Sequence, residues 1–96
     1  MKENRKAIEE TVSLFKIFSD RTRLRIIALL SEAEYCVQEI CETLKMSQSS
    51  ISHQLKLLRD LNVVKTRRDG KNIFYSLQDE HIKELYLIGY SHANEC

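Results

Sequence analysis

Asp79, His81, His92 and Glu95 are four side chains able to ligate a divalent cation, two imidazoles and two carboxylates within the last stretch of the chain. Their spacing decides how they can be used. Segment 78–94 has no Pro and one Gly, and Ile82, Leu85, Tyr86 and Gly89 recur at helical intervals. His81 and His92 are eleven residues apart. On a helix that is about three turns, so the two rings share a face but lie roughly 16 Å apart along the axis. An ion about 2 Å from each ligand cannot span that gap. Two antiparallel copies of the helix remove the difficulty. Asp79 and His81 of one would meet His92 and Glu95 of the other, and two-fold symmetry would build the site twice. The spacing therefore predicts a metal-binding homodimer. Two His and two carboxylates suit Zn(II) in a closed tetrahedral site, with Co(II) as its spectroscopic surrogate. Asp79 is expected at the helix N-cap, where non-helical dihedrals turn it beside His81.

The elements that must position these groups are legible in the periodicity. A first helix is expected from about 3 to 18, with Ile8, Val12, Phe15 and Phe18 on one stripe. Ser19 or Asp20 caps a second, carrying Leu24, Ile27 and Leu30 to about Ser31. A short helix follows over 37–44, then a tight turn at Lys45-Met46. Ser47 is the expected N-cap of a helix running to about Arg59. That helix buries Ile51, Leu55 and Leu58 and points Gln48, Ser49, Ser50, His53 and Gln54 outward. The period then shortens. Runs 63–68 and 72–77 read as strands, joined by a turn at Asp69-Gly70 and flanked by Arg67, Arg68 and Lys71. Two short helices about a tight turn, then a basic hairpin, describe a winged helix-turn-helix: mainly α, with a small β-hairpin. The chain reads as one domain over 1–96, with a recognition helix at 47–59, a wing at 63–77 and a metal-sensing helix at 79–94.

Net charge is only +1, but it is unevenly distributed. Over 43–77, Lys45, Lys56, Arg59, Lys65, Arg67, Arg68 and Lys71 face only Asp60 and Asp69, a net +5. Over 78–96 one Lys faces four acids, a net −3. A basic middle and an acidic end are expected if one region meets phosphate and another a cation. Gln at the N-terminal end of a recognition helix can pair bidentately with adenine, and Ser can bond base edges or phosphate. Ser47, Gln48, Ser49, Ser50, His53, Gln54 and Lys56 are thus the candidate reading residues. Arg67, Arg68 and Lys71 of the wing are expected to hold the backbone or to reach the adjacent minor groove. At 96 residues the chain is near the lower range for a self-sufficient core, which a homodimer through the first and last helices would help to stabilise. No apolar run approaches the roughly 18 residues of a membrane span, and the first residues lack a signal-peptide core. Three Cys do not read as a disulfide framework, so a cytoplasmic location is expected.

The stretches 18–30 (FSDRTRLRIIALL) and 47–58 (SQSSISHQLKLL), with the hairpin through Tyr75-Ser-Leu-Gln-Asp79, carry a resemblance. Through them the chain resembles the ArsR/SmtB family of metal-responsive bacterial repressors. Asp-x-His, ten residues, then His-x-x-Glu over 79–95 is similar to the pattern of the family's zinc sensors. What the resemblance implies is a metal-sensing site shared by the C-terminal helices of a dimer, which binds operator DNA when metal-free and releases it when Zn(II) binds. It also implies that the second nitrogen of His92 bonds a backbone carbonyl near Asn62, past the recognition helix. The family's thiolate sensors carry Cys-Val-Cys where this chain has Cys36-Val37-Gln38, so the second thiolate is missing.

The nearest rival is a thiol-based sensor, for Cd, Pb or As or for redox, using Cys36, Cys41 or Cys96. A zinc carrier would leave the polar helix and basic wing without a purpose. An enzyme is not expected: the chain has two Gly and no phosphate-cradling loop, and Ser52 and His53 are helix neighbours facing different ways.

Overall fold

The computed structural model of the protein describes residues 3–95. Its elements run α1 (Arg5–Phe18), α2 (Arg21–Leu30), β1 (Tyr35–Cys36), α3 (Val37–Leu44), α4 (Gln48–Asp60), β2 (Val64–Asp69), β3 (Asn72–Leu77) and α5 (Glu80–Asn94). Most helix starts carry a side-chain cap, as expected at Asp20, Ser47 and Asp79 and newly seen at Asn4. Asn4, Asp20, Ser47 and Asp79 each accept a bond from a backbone N–H in the first turn, satisfying donors that have no partner inside the helix.

The core is assembled from the middle of the chain. Ile26 and Ile27 of α2, Ile40 of α3, Ile51, Leu55 and Leu58 of α4, and Val63 and Val64 at the start of the wing are almost wholly buried. Each sits at helical or strand spacing from its neighbours, so the three helices and the sheet close on one apolar centre. The turn between α3 and α4 is made by Lys45, which takes a left-handed conformation at φ 56°, while Met46 N–H donates to the Cys41 carbonyl at 3.1 Å. The fold is a winged helix-turn-helix.

Three features differ from the sequence expectation. A third strand is present: β1 pairs antiparallel with β3, Tyr35 opposite Tyr75 and Cys36 opposite Phe74, giving the order β1-β3-β2. Two residues are too few to show a period of two, which is why β1 is silent in the sequence. The first wing strand begins at Val64 and extends to Asp69, which pairs with Asn72. The loop residues are therefore Gly70 and Lys71 rather than Asp69 and Gly70, and Gly70 takes φ 63° at the first central position, the place where hairpin turns of the Gly-first kind require it. Finally, the α1 stripe is not covered. Ile8, Val12 and Phe15 are exposed, as are Leu87, Ile88 and Tyr90 on α5. Each terminal helix gives the core only one buried side chain, Ile17 and Ile82 respectively. No helix of the described residues is long and apolar enough to cross a membrane.

Candidate metal centre and nucleic-acid interface

The first half of the candidate metal site is built by the start of α5. Asp79 is the N-cap, with φ −160°, and its Oδ1 accepts from the Ile82 N–H at 3.2 Å. The cap leaves the other oxygen free to turn toward solvent. That oxygen, Oδ2, lies 3.7 Å from His81 Nδ1, on a ring that is 90 % exposed. Two ligand atoms about 2 Å from a tetrahedral ion are separated by roughly 3.3 Å. The pair therefore needs only a small side-chain adjustment to grip one ion, and the donor set fits zinc. The second half lies at the other end of the helix. His92 is in the last turn and Glu95 is the C-cap, its N–H donating to the His92 carbonyl at 3.4 Å. At a separation of three residues the two side chains share a face. The ends do not meet: among the described residues no three His, Cys, Asp or Glu converge into a metal-holding group. One chain therefore holds two separate candidate pairs, Asp79 with His81 and His92 with Glu95, at opposite ends of α5.

The cysteines have other surroundings. Cys36 is half-buried at the N-cap of α3, and its backbone N–H donates to Glu39 Oε1 at 2.9 Å. Cys41 packs against the core. Cys96 lies outside the described residues.

On the nucleic-acid side, Ser47 Oγ caps α4 by accepting from the Ser50 N–H at 3.2 Å and lies 3.3 Å from Ser49 Oγ. Gln48, Ser49, His53 and Lys56 are exposed. Lys56 pairs with Asp60 at 3.3 Å, an exposed contact of little net worth that a phosphate can replace. Ser50 and Gln54, expected to face outward, are half-buried instead. Gln54 is turned inward because Arg23 Nη1 donates to its Oε1 at 3.3 Å, while Arg23 Nε donates to the Ile17 carbonyl at 3.3 Å. Arg23 thus ties the end of α1 to α4. At 31 residues of separation no periodicity shows that contact.

The wing tip carries Arg68 and Lys71, both exposed. Arg67, expected to be available for DNA, is held within the chain. Its Nε donates to both carboxylate oxygens of Glu34 at 3.0 Å, its Nη1 is 3.8 Å from Asp69, and its guanidinium sits 4.8 Å over the Phe74 ring. The hydrogen bonds from Arg67 hold the Glu34 carboxyl below its ordinary value. A carboxylate so lowered keeps its charge, and the contact, until pH falls through the lowered value. Glu34 carried no signal in the sequence; it follows from the fold alone.

Comparison with known proteins places this architecture. Residues 20–66, which hold α2, the helix-turn-helix and the start of the wing, match the model described as bacterial regulatory protein, arsR family. The chain is 39% identical over 87 residues to a cadmium resistance transcriptional regulatory protein CadC homolog of Staphylococcus aureus, covering 90% of this chain and 72% of that one. The chain belongs to the ArsR family. It is also 38% identical over 87 residues to a transcriptional repressor SmtB homolog of Synechocystis, covering 91% of this chain and 66% of that relative. Among solved structures, the homodimeric winged helix-turn-helix DNA-binding domain of Mb0332 from Mycobacterium bovis, a possible ArsR-family regulator, superposes with a TM-score of 0.88 at 26% identity. That match covers 98% of this chain and 89% of that one. As an ArsR-family chain it shares its fold with DNA-binding regulators, and the family includes metal-responsive repressors.

Proposed function

We propose that the protein is a cytoplasmic transcriptional repressor whose homodimer binds operator DNA and is released when Zn(II) binds. The observation that carries this reading is the placement of a carboxylate–imidazole pair at each end of α5, with an uncovered apolar face between them. A second copy packed antiparallel on α5 and α1 would cover Ile8, Val12, Phe15, Leu87, Ile88 and Tyr90. It would bring its own His92 and Glu95 to Asp79 and His81. Those four side chains would hold Zn(II), or Co(II) as surrogate, and the bound ion would supply a cross-link between the two helices. Zinc and operator then oppose each other through one coupling free energy, each weakening the other equally. His92, once a ligand through one ring nitrogen, has the other N–H free for an acceptor. A carbonyl near Asn62, just past α4, is the acceptor we assign to it, tying the metal site to the reading heads.

On DNA, the exposed N-terminal half of α4 supports a reading role for Ser47, Gln48, Ser49 and His53, with Lys56 on the phosphates. Ser50 and Gln54 contribute from half-buried positions, Gln54 with its amide N–H groups, since its oxygen already accepts from Arg23. Arg68 and Lys71 extend the contact along the backbone. The test is fluorescence anisotropy of the protein on a duplex selected from a random pool, with Zn(II) titrated in. Binding in the metal-free state followed by release supports the reading. DNA binding indifferent to Zn(II) removes the sensing role, and no binding to any selected duplex removes the repressor itself.

A further inference from the structure

The contact between Glu34 and Arg67 crosses the whole sheet. Glu34 directly precedes β1, Arg67 lies in β2, and the strand between them is β3. Phe74 of β3 is the register partner of both Cys36 and Arg67. The Arg67 side chain therefore lies over the Phe74 ring and grips the carboxylate on the far side, with Asp69 flanking the guanidinium. Both an edge and a face of the guanidinium are committed within the chain. The arrangement matters because β1 has only two residues, and so short a pairing has little stability of its own. Yet β1 runs straight into α3, the first helix of the helix-turn-helix. Whatever holds β1 to β3 fixes the angle between the wing and the reading head.

Alternation along β2 separates its two arginines. Arg67 shares a sheet face with Lys65 and Asp69, whereas Arg68, opposite Ile73, belongs to the other face. A phosphate approaching Arg67 would also meet the Glu34 carboxylate at hydrogen-bonding distance from that guanidinium, and like charges repel.

We propose that Glu34 and Arg67 form a strap that locks the wing to the helix-turn-helix, making Arg67 a positioning residue and leaving Arg68 and Lys71 as the phosphate contacts. This rests on the DNA-binding reading for its second half; the strap itself is a property of the free protein. The experiment has two arms. In the first, hydrogen exchange of the β1–β3 amides is followed without DNA in the parent and in Glu34→Gln, Arg67→Gln and Lys71→Ala. Both strap variants should exchange roughly tenfold faster there, because local opening has become easier, while Lys71→Ala matches the parent. In the second arm, affinity for the selected duplex is measured against salt. Lys71→Ala should lower the slope by about 0.9, the loss of one phosphate contact. Arg67→Gln should weaken binding at every salt concentration with the parent's slope. Unchanged exchange in either strap variant, or a reduced slope for Arg67→Gln, overturns the proposal. If the parent binds no duplex the repressor reading fails, and the exchange arm alone decides the strap.

Discussion

At the scale of single residues, the two oxygens of Asp79 have different neighbours. One caps α5 and the other faces His81. Asp79→Asn keeps a good cap but replaces the anionic ligand oxygen with an amide. Zinc affinity should fall by more than the roughly 10- to 100-fold that changes behind the ligands cost, with thermal stability held within about 0.5 kcal/mol. Competition against a chromogenic chelator, with a melting curve alongside, checks both. Asp79→Ala should lose zinc and also about 1 kcal/mol of stability through the missing cap. A stable Asp79→Asn variant with the parent's zinc affinity would make this residue a cap and nothing more. The cap and its neighbour were readable in the sequence because they depend on residues two and three apart. Arg23–Gln54 and Glu34–Arg67 were not, since each joins side chains more than thirty residues apart. Such contacts depend on how the helices close on the core.

At the scale of elements, α4 is held at two places. Its inner face puts Ile51, Leu55 and Leu58 into the core, and Ser47 satisfies its first turn. Ser47→Ala should cost about 1 kcal/mol of stability in chemical denaturation. It should also weaken operator binding, because the frayed end is the one proposed to enter the groove. Stability equal to the parent's would show that the cap is dispensable. The helices were legible because their apolar spacing is regular and because Asp20, Ser47 and Asp79 mark the starts of three of them. The hairpin was legible from Gly70, although its turn is shifted one residue, to Gly70-Lys71. The two-residue β1 was not. Nothing in Tyr35-Cys36 distinguishes a strand from the capped start of α3; only the pairing with Phe74 and Tyr75 makes it one.

At the scale of the whole molecule, the chain buries its middle and leaves both terminal helices uncovered on one side. Ile88 is 69 % and Phe15 53 % exposed, and apolar side chains of that size left in solvent ask for a partner. Ile88→Asp should convert the dimer to monomer in sedimentation equilibrium at micromolar concentration, since a buried unpaired carboxylate opposes association. Zinc binding should be lost with it, although every proposed ligand is still present. A monomeric variant that retains zinc would place the metal elsewhere. In the proposed dimer the same geometry links assembly and sensing: His81 and His92 share one helix yet would serve different sites.

That claim is tested most directly by a mixed dimer. One chain carries Asp79→Asn and His81→Gln, its partner His92→Gln and Glu95→Gln, and the pair is purified through two different affinity tags. Zinc is then counted by titration. Neither variant alone should bind as a homodimer, whereas the mixed dimer should bind one Zn(II) against two for the parent, because one complete ligand set is reassembled across the interface. A mixed dimer without zinc, or a homodimer of either variant that keeps it, would contradict the shared site.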